Sequence, residues 1–219
     1  MSTPHGAPAR LVVLVSGAGT NLQALIDACG DPAYGARVVA VGADRDGIEG
    51  LARAERAGIP TFVRKVGQFT SREHWDLTMT DTVAAFEPDL VVLAGFMRVL
   101  GTAAVERYSG RLVNIHPSLL PSYPGLHTHR RVLADGATIH GCTVHFVTPE
   151  VDVGPIIAQS ALTVRDDDDE ASLAARVLEL EHKLLPQAVE WFCAGRLAID
   201  GPRVRFVDAP ASERLAGAA

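Results

Sequence analysis

The sequence predicts an α/β fold with a doubly wound, mostly parallel sheet, helices on both faces and an antiparallel C-terminal extension. In the first half of the chain, short apolar runs alternate with helix-like segments. The run LVVLV at 11–15 is typical of a parallel strand buried on both faces. In the second half, two strand-like runs at 138–148 and 155–164 follow one another without a helix between them. That arrangement favours antiparallel pairing.

The elements of the first half follow one another regularly. The first helix has an apolar face at intervals of three and four residues, with Thr20 or Asn21 available to cap its start. Gly58 marks the end of the second helix, and Thr70 or Ser71 the start of the third. This repetition indicates a Rossmann-like sheet. Strands are predicted at 10–17, 37–43, 60–64, 88–96 and 111–116, and helices at 20–30, 47–58, 71–86 and 102–108.

The C-terminal part predicts a long amphipathic helix over 169–195 and a closing strand pair, RLAID and RVRFV. The acidic run DDDD at 166–169 precedes the helix and is better explained as an N-cap than as a metal site. One domain over 10–207 is expected, with weakly ordered tails at 1–9 and 208–219. The predicted buried stripe of the long helix comprises Leu173, Val177, Leu180 and Leu184.

Composition excludes several functional classes. The chain has 219 residues and a net charge of -6, which argues against sequence-independent nucleic-acid binding. Cys29, Cys142 and Cys193 are odd in number and widely spaced, so buried reduced thiols in a cytosolic protein are expected. The N-terminal segment lacks the apolar core of a signal peptide, and LVVLV is too short to span a membrane. A soluble, cytoplasmic protein is therefore expected.

The segment SGAGTN at 16–21 lies between the first strand and the first helix. Glycines there let the backbone approach an anion, and the helix N-terminus offers free N–H groups. A phosphate site with donors from Gly19, Thr20 and Asn21 is the preferred interpretation. A dinucleotide fingerprint is an alternative, since Asp44 could accept from a ribose, although Leu22 stands where a third glycine is needed. A tight turn that binds nothing is the other alternative.

The segment GFMRVL at 95–100 follows the fourth strand, and ligands of open α/β sheets bind beyond the carboxyl ends of strands. Its backbone amides and carbonyls could recognise a flat, hydrogen-bonding ring. Met97, Val99 and Leu100 would then cover the apolar faces of that ring. Ordinary core packing of these three side chains explains the pattern equally well.

Asn114 and His116 are candidate catalytic residues because two positions apart on a strand means the same face. Pro117 restrains the backbone directly after the histidine. A histidine acid or base needs an orienting carboxylate, and the turn VTPEVDVGP offers Asp152 and Glu150. Zinc is disfavoured, since the histidine-containing loop at 114–130 has no Cys, Asp or Glu.

These segments together resemble a known family. SGAGTNLQALIDAC, VVLAGFMRVL, GRLVNIHPSLLPSYPGLHTHR and GCTVHFVTPEVDVGPII are similar to the folate-dependent phosphoribosylglycinamide formyltransferases, and the resemblance runs from about residue 10 to about residue 200. It implies that the amine of glycinamide ribonucleotide attacks the formyl carbon of 10-formyltetrahydrofolate. It further implies His116 as general acid/base, Asn114 as the oxyanion donor and Asp152 as the partner of His116, without a metal.

The same resemblance implies the binding residues. Gly19, Thr20 and Asn21 correspond to the substrate-phosphate loop. Glu181 corresponds to a substrate-contacting carboxylate, and its place on an apolar helix face also indicates that it has a partner. The turn VTPEVD would enclose the pterin. The implied folate contacts are Arg72, Met97, Arg98, Val99, Leu100 and Asn114.

Two related functions are disfavoured by the length and charge of the chain, and two alternatives stay open. Methionyl-tRNA formyltransferase would carry a further C-terminal domain and a more basic surface, and formyltetrahydrofolate deformylase an N-terminal regulatory domain. Sugar-nucleotide formyltransferases share the catalytic residues but differ in the phosphate loop. A non-catalytic nucleotide-binding module would explain SGAGTN but leave Asn114, His116 and Asp152 without a role. The expected partners are the two small-molecule substrates, with no nucleic acid or membrane, and the expected assembly is a monomer or homodimer.

Overall fold

The structure is a computed structural model that describes residues 7–207. No helix in that range is long and apolar enough to cross a membrane. Two 3-10 turns, Pro32–Tyr34 and Val66–Gln68, interrupt the connections. The strands are β1 (Ala9–Val15), β2 (Ala36–Ala43), β3 (Thr61–Val63), β4 (Leu90–Leu93), β5 (Leu112–His116), β6 (Ile139–Phe146), β7 (Ile156–Thr163), β8 (Leu197–Asp200) and β9 (Arg203–Phe206). The helices are α1 (Thr20–Ala28), α2 (Glu49–Arg56), α3 (Arg72–Ala84), α4 (Thr102–Arg107), α5 (Thr128–Ala134) and α6 (Glu170–Cys193).

All of these strands join one sheet in the order β3-β2-β1-β4-β5-β6-β7-β9-β8. The first five in this order run parallel to one another. β6 is antiparallel to both β5 and β7, and β8 and β9 form an antiparallel pair at the far edge. The predicted fold class is confirmed. Of the predicted tails, residues 1–6 and 208–219 lie outside the described range, and β1 already begins at Ala9.

Helices cover both faces of the parallel strands, which explains the apolar run 11–15 of β1. Alternate residues of β1 point to opposite faces, so Leu11 and Val13 join one core cluster while Val12 and Leu14 join the other. All four are completely buried. The first cluster packs under α1, α2 and α6, and the second under α3 and α4. A strand buried on both faces has no position for a polar side chain.

The helix starts show one error in the sequence prediction. Ser71 caps α3 by accepting from the backbone N–H of His74, as expected. However, neither Thr20 nor Asn21 caps α1, whose N-cap is Gly19 in the left-handed conformation, without a side-chain cap. A Cβ on Gly19 would lie 2.5 Å from the Cα of Gly50 on α2. The close approach of two helices, which local sequence does not reveal, sets the start of α1.

The long helix α6 begins with a capping box between Asp169 and Ser172, in agreement with the predicted N-cap role of the acidic run. Leu173 and Val177 are buried as predicted, but the buried stripe continues through Glu181 and Leu185. The predicted Leu180 and Leu184 are only half-buried. The stripe follows a spacing of four residues, so a buried carboxylate stands where the hydrophobic pattern suggested leucine.

The proline-rich stretch 114–130 was predicted as a loop, but its end is helical. The helix α5 begins at Thr128, directly after His127 in the left-handed conformation. It is short, and only Thr128 and Val132 are buried. So short an apolar stripe carries little periodicity, and the neighbouring prolines and glycine obscured it.

The three cysteines are free thiols in the described part of the chain. Cys142 on β6 is fully buried, and burial raises the pKa of its thiol to about 12. Cys29 and Cys193 are only half-buried, so the predicted burial is right for one of the three. A thiol with so high a pKa is protonated at neutral pH and is a poor nucleophile.

Gly141→Ala should destabilise the protein, because β6 and β7 are in contact at this residue. An added Cβ would lie 2.0 Å from the carbonyl oxygen of Ser160, so one strand must shift. Overpacking of this kind reduces the free energy of unfolding by about 1–3 kcal/mol. Urea unfolding of the variant measures the change. Gly67→Ala is the matched control, since no atom lies within 4 Å of its added Cβ. Equal effects of both substitutions would contradict the predicted contact.

Candidate active site

The predicted functional segments gather at one edge of the sheet. The glycine-rich segment follows β1, the segment 95–101 follows β4, and His116 is the last residue of β5. These three strands are parallel neighbours, so their carboxyl ends meet at the same edge. This is where ligands bind in open α/β sheets. The turn 147–154 adds Asp152 from the connection between β6 and β7.

Asn114 lies directly opposite His145 in the antiparallel ladder of β5 and β6. Directly opposite residues share a face of the sheet, which brings the Asn114 amide nitrogen within 3.3 Å of His145 Nε2. The other ring nitrogen of His145, Nδ1, lies 2.9 Å from the carbonyl oxygen of Phe146. A carbonyl can only accept, so Nδ1 carries the proton and Nε2 accepts from the Asn114 amide.

His145 was not identified from the sequence, although it contacts two of the predicted catalytic residues. Its ring is 2% exposed, and its Nε2 lies 3.7 Å from Asp152 Oδ1. Burial lowers the pKa of His145, against weaker opposing effects of Phe146 and Asp152, and so favours the neutral ring. The available signal was a histidine inside the apolar strand TVHFV, but its relation to Asn114 depends on strand register.

Both ring nitrogens of His116 face acceptors. Nε2 lies 3.0 Å from the carbonyl oxygen of Tyr123, and Nδ1 lies 3.5 Å from Asp152 Oδ2. The doubly protonated ring can donate towards both, whereas the neutral ring leaves a lone pair facing one of them. The side chains of His116 and Asp152 are each 8% exposed, so water screens this pair only weakly.

The position of Asp152 is fixed by its own backbone and by a neighbouring loop. Its φ angle is +58°, a conformation that few residues other than glycine adopt. The backbone N–H of Gly125 donates to Asp152 Oδ2 at 2.8 Å. The proline-rich loop thus contacts both members of the pair, Asp152 through Gly125 and His116 through Tyr123. The structure brings together Asn114, His116 and Asp152, while Glu150 is exposed to solvent.

Two carbonyl groups of the glycine-rich loop accept hydrogen bonds from α2. Gly50 N–H donates to the Gly17 carbonyl, and the Arg53 side chain donates to the Ala18 carbonyl. The first N–H groups of α1 have no carbonyl partner within the helix. The loop that holds Gly19, Thr20 and Asn21 therefore has the character of an anion site.

The carboxylate of Glu181 has the partner that its position on an apolar face suggested. The side-chain amide of Asn21 donates to Glu181 Oε2 at 2.6 Å, and both residues are buried. Burial raises the pKa of Glu181, and the hydrogen bond from Asn21 opposes this effect. Asn21 was predicted as a phosphate donor through its side chain as well as its backbone. Its amide is instead directed to Glu181, so the backbone N–H groups and the Thr20 hydroxyl are left as donors in the loop.

In the segment 97–100, two of the three apolar side chains are exposed. Met97 and Val99 are both 59% exposed, whereas Leu100 packs into the second core cluster. Core packing therefore explains Leu100 alone among the three apolar side chains. Among residues 7–207, no hydrogen bond reaches the backbone N–H groups of Arg98, Val99 or Leu100.

Arg72 lies at the far end of this segment. Its guanidinium donates to the Val99 carbonyl and, through Nε, to Asp76 Oδ2 at 3.2 Å. Asp76 in turn accepts from the backbone N–H of Gly101 at 3.1 Å. The arginine also stacks over the Trp75 ring at 4.4 Å. Arg72 is thus adjacent to the predicted folate residues and fixes the end of their segment.

The dinucleotide alternative does not match this geometry. The side chain of Asp44, which would have to accept from a ribose, is completely buried and is bound by two arginines. Leu22 is fully buried at the position of the missing glycine. Within residues 7–207, no group of three or more His, Cys, Asp or Glu side chains has the arrangement of a metal site.

Comparison with known proteins identifies the class. The model of the family described as formyl transferase matches residues 9–189, and the chain belongs to this family. Within it, the resemblance to phosphoribosylglycinamide formyltransferase is confirmed. The protein of that name from Escherichia coli (strain K12) is 49% identical over 188 residues, which cover 86% of this chain and 89% of the relative.

Two further relatives agree with this assignment. The "Trifunctional purine biosynthetic protein adenosine-3" of Drosophila melanogaster is 50% identical over 192 residues, which cover 87% of this chain but 14% of that protein. The crystal structure of glycinamide ribonucleotide transformylase 1 from Symbiobacterium toebii superposes with a TM-score of 0.91 at 43% identity. That match covers 93% of this chain and 96% of the other.

A second histidine pair makes stability depend on pH. His140 is fully buried, and its Nε2 lies 3.1 Å from His129 Nδ1. Burial, with smaller contributions from His129 and His116, lowers the pKa of His140 to about 4. The unfolded chain protonates this residue near its ordinary pKa of about 6.5. The resulting stabilisation is therefore complete above pH ~6.5 and is lost as the pH falls towards ~4.

We expect His140→Gln to weaken this dependence. Free energies of unfolding in urea, measured from pH 8 to 4.5, should decrease less steeply for the variant than for the wild type. His74→Gln is the control, since His74 is exposed on α3. Parallel pH profiles for wild type and His140→Gln would show that His140 titrates alike in the folded and unfolded states.

Proposed function

We propose that this chain is a phosphoribosylglycinamide formyltransferase. It transfers a formyl group from 10-formyltetrahydrofolate to the amine of glycinamide ribonucleotide, a step of purine biosynthesis. The observation that carries the proposal is the convergence of Asn114, His116 and Asp152 at the sheet edge where ligands bind. The proposal includes, from the sequence, a cytoplasmic location and a monomeric or homodimeric state.

The proposed reaction is a direct transfer. The amine nitrogen of the nucleotide attacks the formyl carbon, and the carbonyl oxygen becomes an oxyanion in a tetrahedral intermediate. A proton passes from the attacking amine to the folate nitrogen N10, the bond between this nitrogen and the formyl carbon breaks, and the carbonyl is restored. This transfer requires no oxidant, no metal and no covalent enzyme intermediate. The protein must supply a partner for the oxyanion and a path for the proton.

Asn114 is the proposed hydrogen-bond donor to the oxyanion. One N–H of its amide group is directed to His145 Nε2, which fixes the plane of the group and leaves the second N–H free. A donor fixed before the reaction stabilises developing charge without having to reorient. In this proposal His145 is a positioning residue, since it acts through Asn114.

His116 and Asp152 are proposed to act as one unit. The Asp152 carboxylate and the Tyr123 carbonyl lie beside the two ring nitrogens of His116 and fix the orientation of the ring. Asp152 also contacts His145, so a single carboxylate is shared by the two histidines of the site. We propose that His116 is the general acid/base and that Asp152 helps to pass the proton through a water molecule.

The substrates are assigned to the two flanking segments. The N–H groups at Gly19, Thr20 and Asn21 are proposed to bind the phosphate of glycinamide ribonucleotide, with Glu181 as a further substrate contact. The free backbone groups of residues 97–100 are proposed to bind the edge of the folate ring. Met97 and Val99, which are exposed, would cover its faces, together with Arg72 and the turn 147–154.

The purified protein should consume 10-formyltetrahydrofolate only when glycinamide ribonucleotide is present. The absorbance change on deformylation of the folate follows the reaction, and the formylated nucleotide is identified by mass spectrometry. Consumption without the amine would indicate a hydrolase. A folded protein that is inactive with this amine but active with an amino-sugar nucleotide would indicate the sugar-nucleotide alternative, and activity with neither amine would favour a non-catalytic module.

Asp152→Asn should decrease kcat by about 100-fold to 10,000-fold, the range that general acid–base catalysis contributes. The side chain keeps its shape but loses the charge that faces His116 and His145. The KM for both substrates and the melting temperature should change little. Glu150→Gln, in the same turn but exposed, is the matched control and should keep full activity. An unfolded Asp152→Asn variant, or one with full activity, would contradict the proposed role.

A further inference from the structure

Asp44 is a fully buried carboxylate to which the proposed function assigns no role. It follows the last residue of β2, and its side chain is completely shielded from solvent. Arg98 Nε donates to it at 2.7 Å, and Arg45 donates to it at 2.9 Å. Burial opposes ionisation, but hydrogen bonds from Arg45, Ser16 and Arg98 outweigh it and lower the pKa of Asp44 to about 2. The group is therefore charged at neutral pH.

The partners of Asp44 connect it to the segment that follows β4. Arg98 belongs to this segment and donates directly to the carboxylate. Ser16, at the end of β1, accepts at its hydroxyl from the backbone N–H of Met97 at 2.8 Å. Two consecutive residues of the segment are thus held, one through its side chain and one through its backbone. The segment leaves β4 through Gly95, whose φ angle of +75° turns the chain at this point.

The opposite end of the segment is also fixed, by Arg72 at the Val99 carbonyl and by Asp76 at the Gly101 N–H. The free backbone N–H groups lie between these two anchors. A ring that is read by backbone groups requires that these groups keep fixed directions. Without the contact of Asp44, the side chain of Arg98 would lose its anchor, and the hydrogen bond from Met97 to Ser16 would hold the near end alone.

We propose that Asp44 is a positioning residue for folate recognition: it fixes Arg98, next to the residue that Ser16 holds, so that the backbone groups of residues 97–100 face the folate ring. This inference rests on the proposed function, since it assigns the ring of 10-formyltetrahydrofolate to that segment. It assigns Arg98 a different role from a direct folate contact, because its guanidinium is bound to Asp44. Arg45 pairs with the same carboxylate, but it is the residue after Asp44 and lies outside the segment 97–100. The inference therefore assigns Arg45 no role in folate recognition.

The test compares single substitutions in steady-state kinetics with both substrates. Asp44→Asn and Arg98→Met should each raise the KM for 10-formyltetrahydrofolate by about tenfold to a hundredfold, as expected when recognition groups are misplaced by about 1 Å. The KM for glycinamide ribonucleotide should change less than about threefold, because the phosphate loop is held separately by Gly50 and Arg53. A purely structural role would instead lower the melting temperature and affect both substrates alike.

Two matched controls accompany these variants. Arg45→Met removes an arginine from the same carboxylate without touching the segment, and Asp46→Asn removes an exposed charge from the same loop. Both should leave the folate KM within about twofold of wild type. The double variant Asp44→Asn/Arg98→Met should be no worse than either single variant, since both break one link. Additive effects would indicate that Arg98 contacts the folate directly and would overturn the inference.

The inference and the proposed function fail in different ways. A wild-type protein that does not transfer the formyl group refutes the function. A wild-type protein that does transfer it, together with an unchanged folate KM in Asp44→Asn, refutes the positioning role alone. If Asp44→Asn does not fold, Arg98→Met becomes the variant that tests the positioning role. Arg98 is partly exposed, and its removal leaves Asp44 paired with Arg45. An unchanged folate KM in that variant would likewise overturn the inference.

Discussion

The antiparallel pairing of β6 with β5 is the constraint on which the candidate active site depends. β6 is the first strand to break the parallel order, and its register sets Asn114 opposite His145. The chain then returns through the turn 147–154, which carries Asp152 to both histidines. A shift of one residue in this ladder would turn every side chain of β6 to the other face. The register is fixed from the core side, where Cys142, Val144 and Phe146 are buried.

The sequence predicted the order of the helices and strands well. It predicted less well which distant residues each helix or strand contacts. Apolar runs and helical periodicity identify β1, α1 or β4 because these signals come from each element alone. Asn114 and His116 were recognisable for the same reason, as neighbours on one strand. His145, the Gly19 cap and the hydrogen bond from the Asn21 side chain to Glu181 were missed or misplaced, since each depends on a second element that is distant in sequence. Local patterns contain no information about register or about the approach of two helices.

Two buried carboxylates show how the molecule treats charge in opposite ways. Asp44 is surrounded by arginines and stays ionised, with a pKa of about 2. Glu181 has an amide as its hydrogen-bond partner, and burial raises its pKa. A permanently charged group suits a fixed structural contact, because its hydrogen bonds do not change with pH. A group with a raised pKa responds to the charge of whatever binds next to it.

The double anchoring of residues 97–100 also has a consequence for the thermodynamics of association. Both anchors consist of groups from the chain itself, namely Asp44 with Ser16 at one end and Arg72 with Asp76 at the other. The conformational entropy of this backbone is therefore lost when the protein folds, and not when a ligand arrives. Association with a rigid recognition segment carries a smaller entropic penalty than association that must order a loop. A short stretch without regular secondary structure can in this way keep its backbone groups in fixed directions before any ligand arrives.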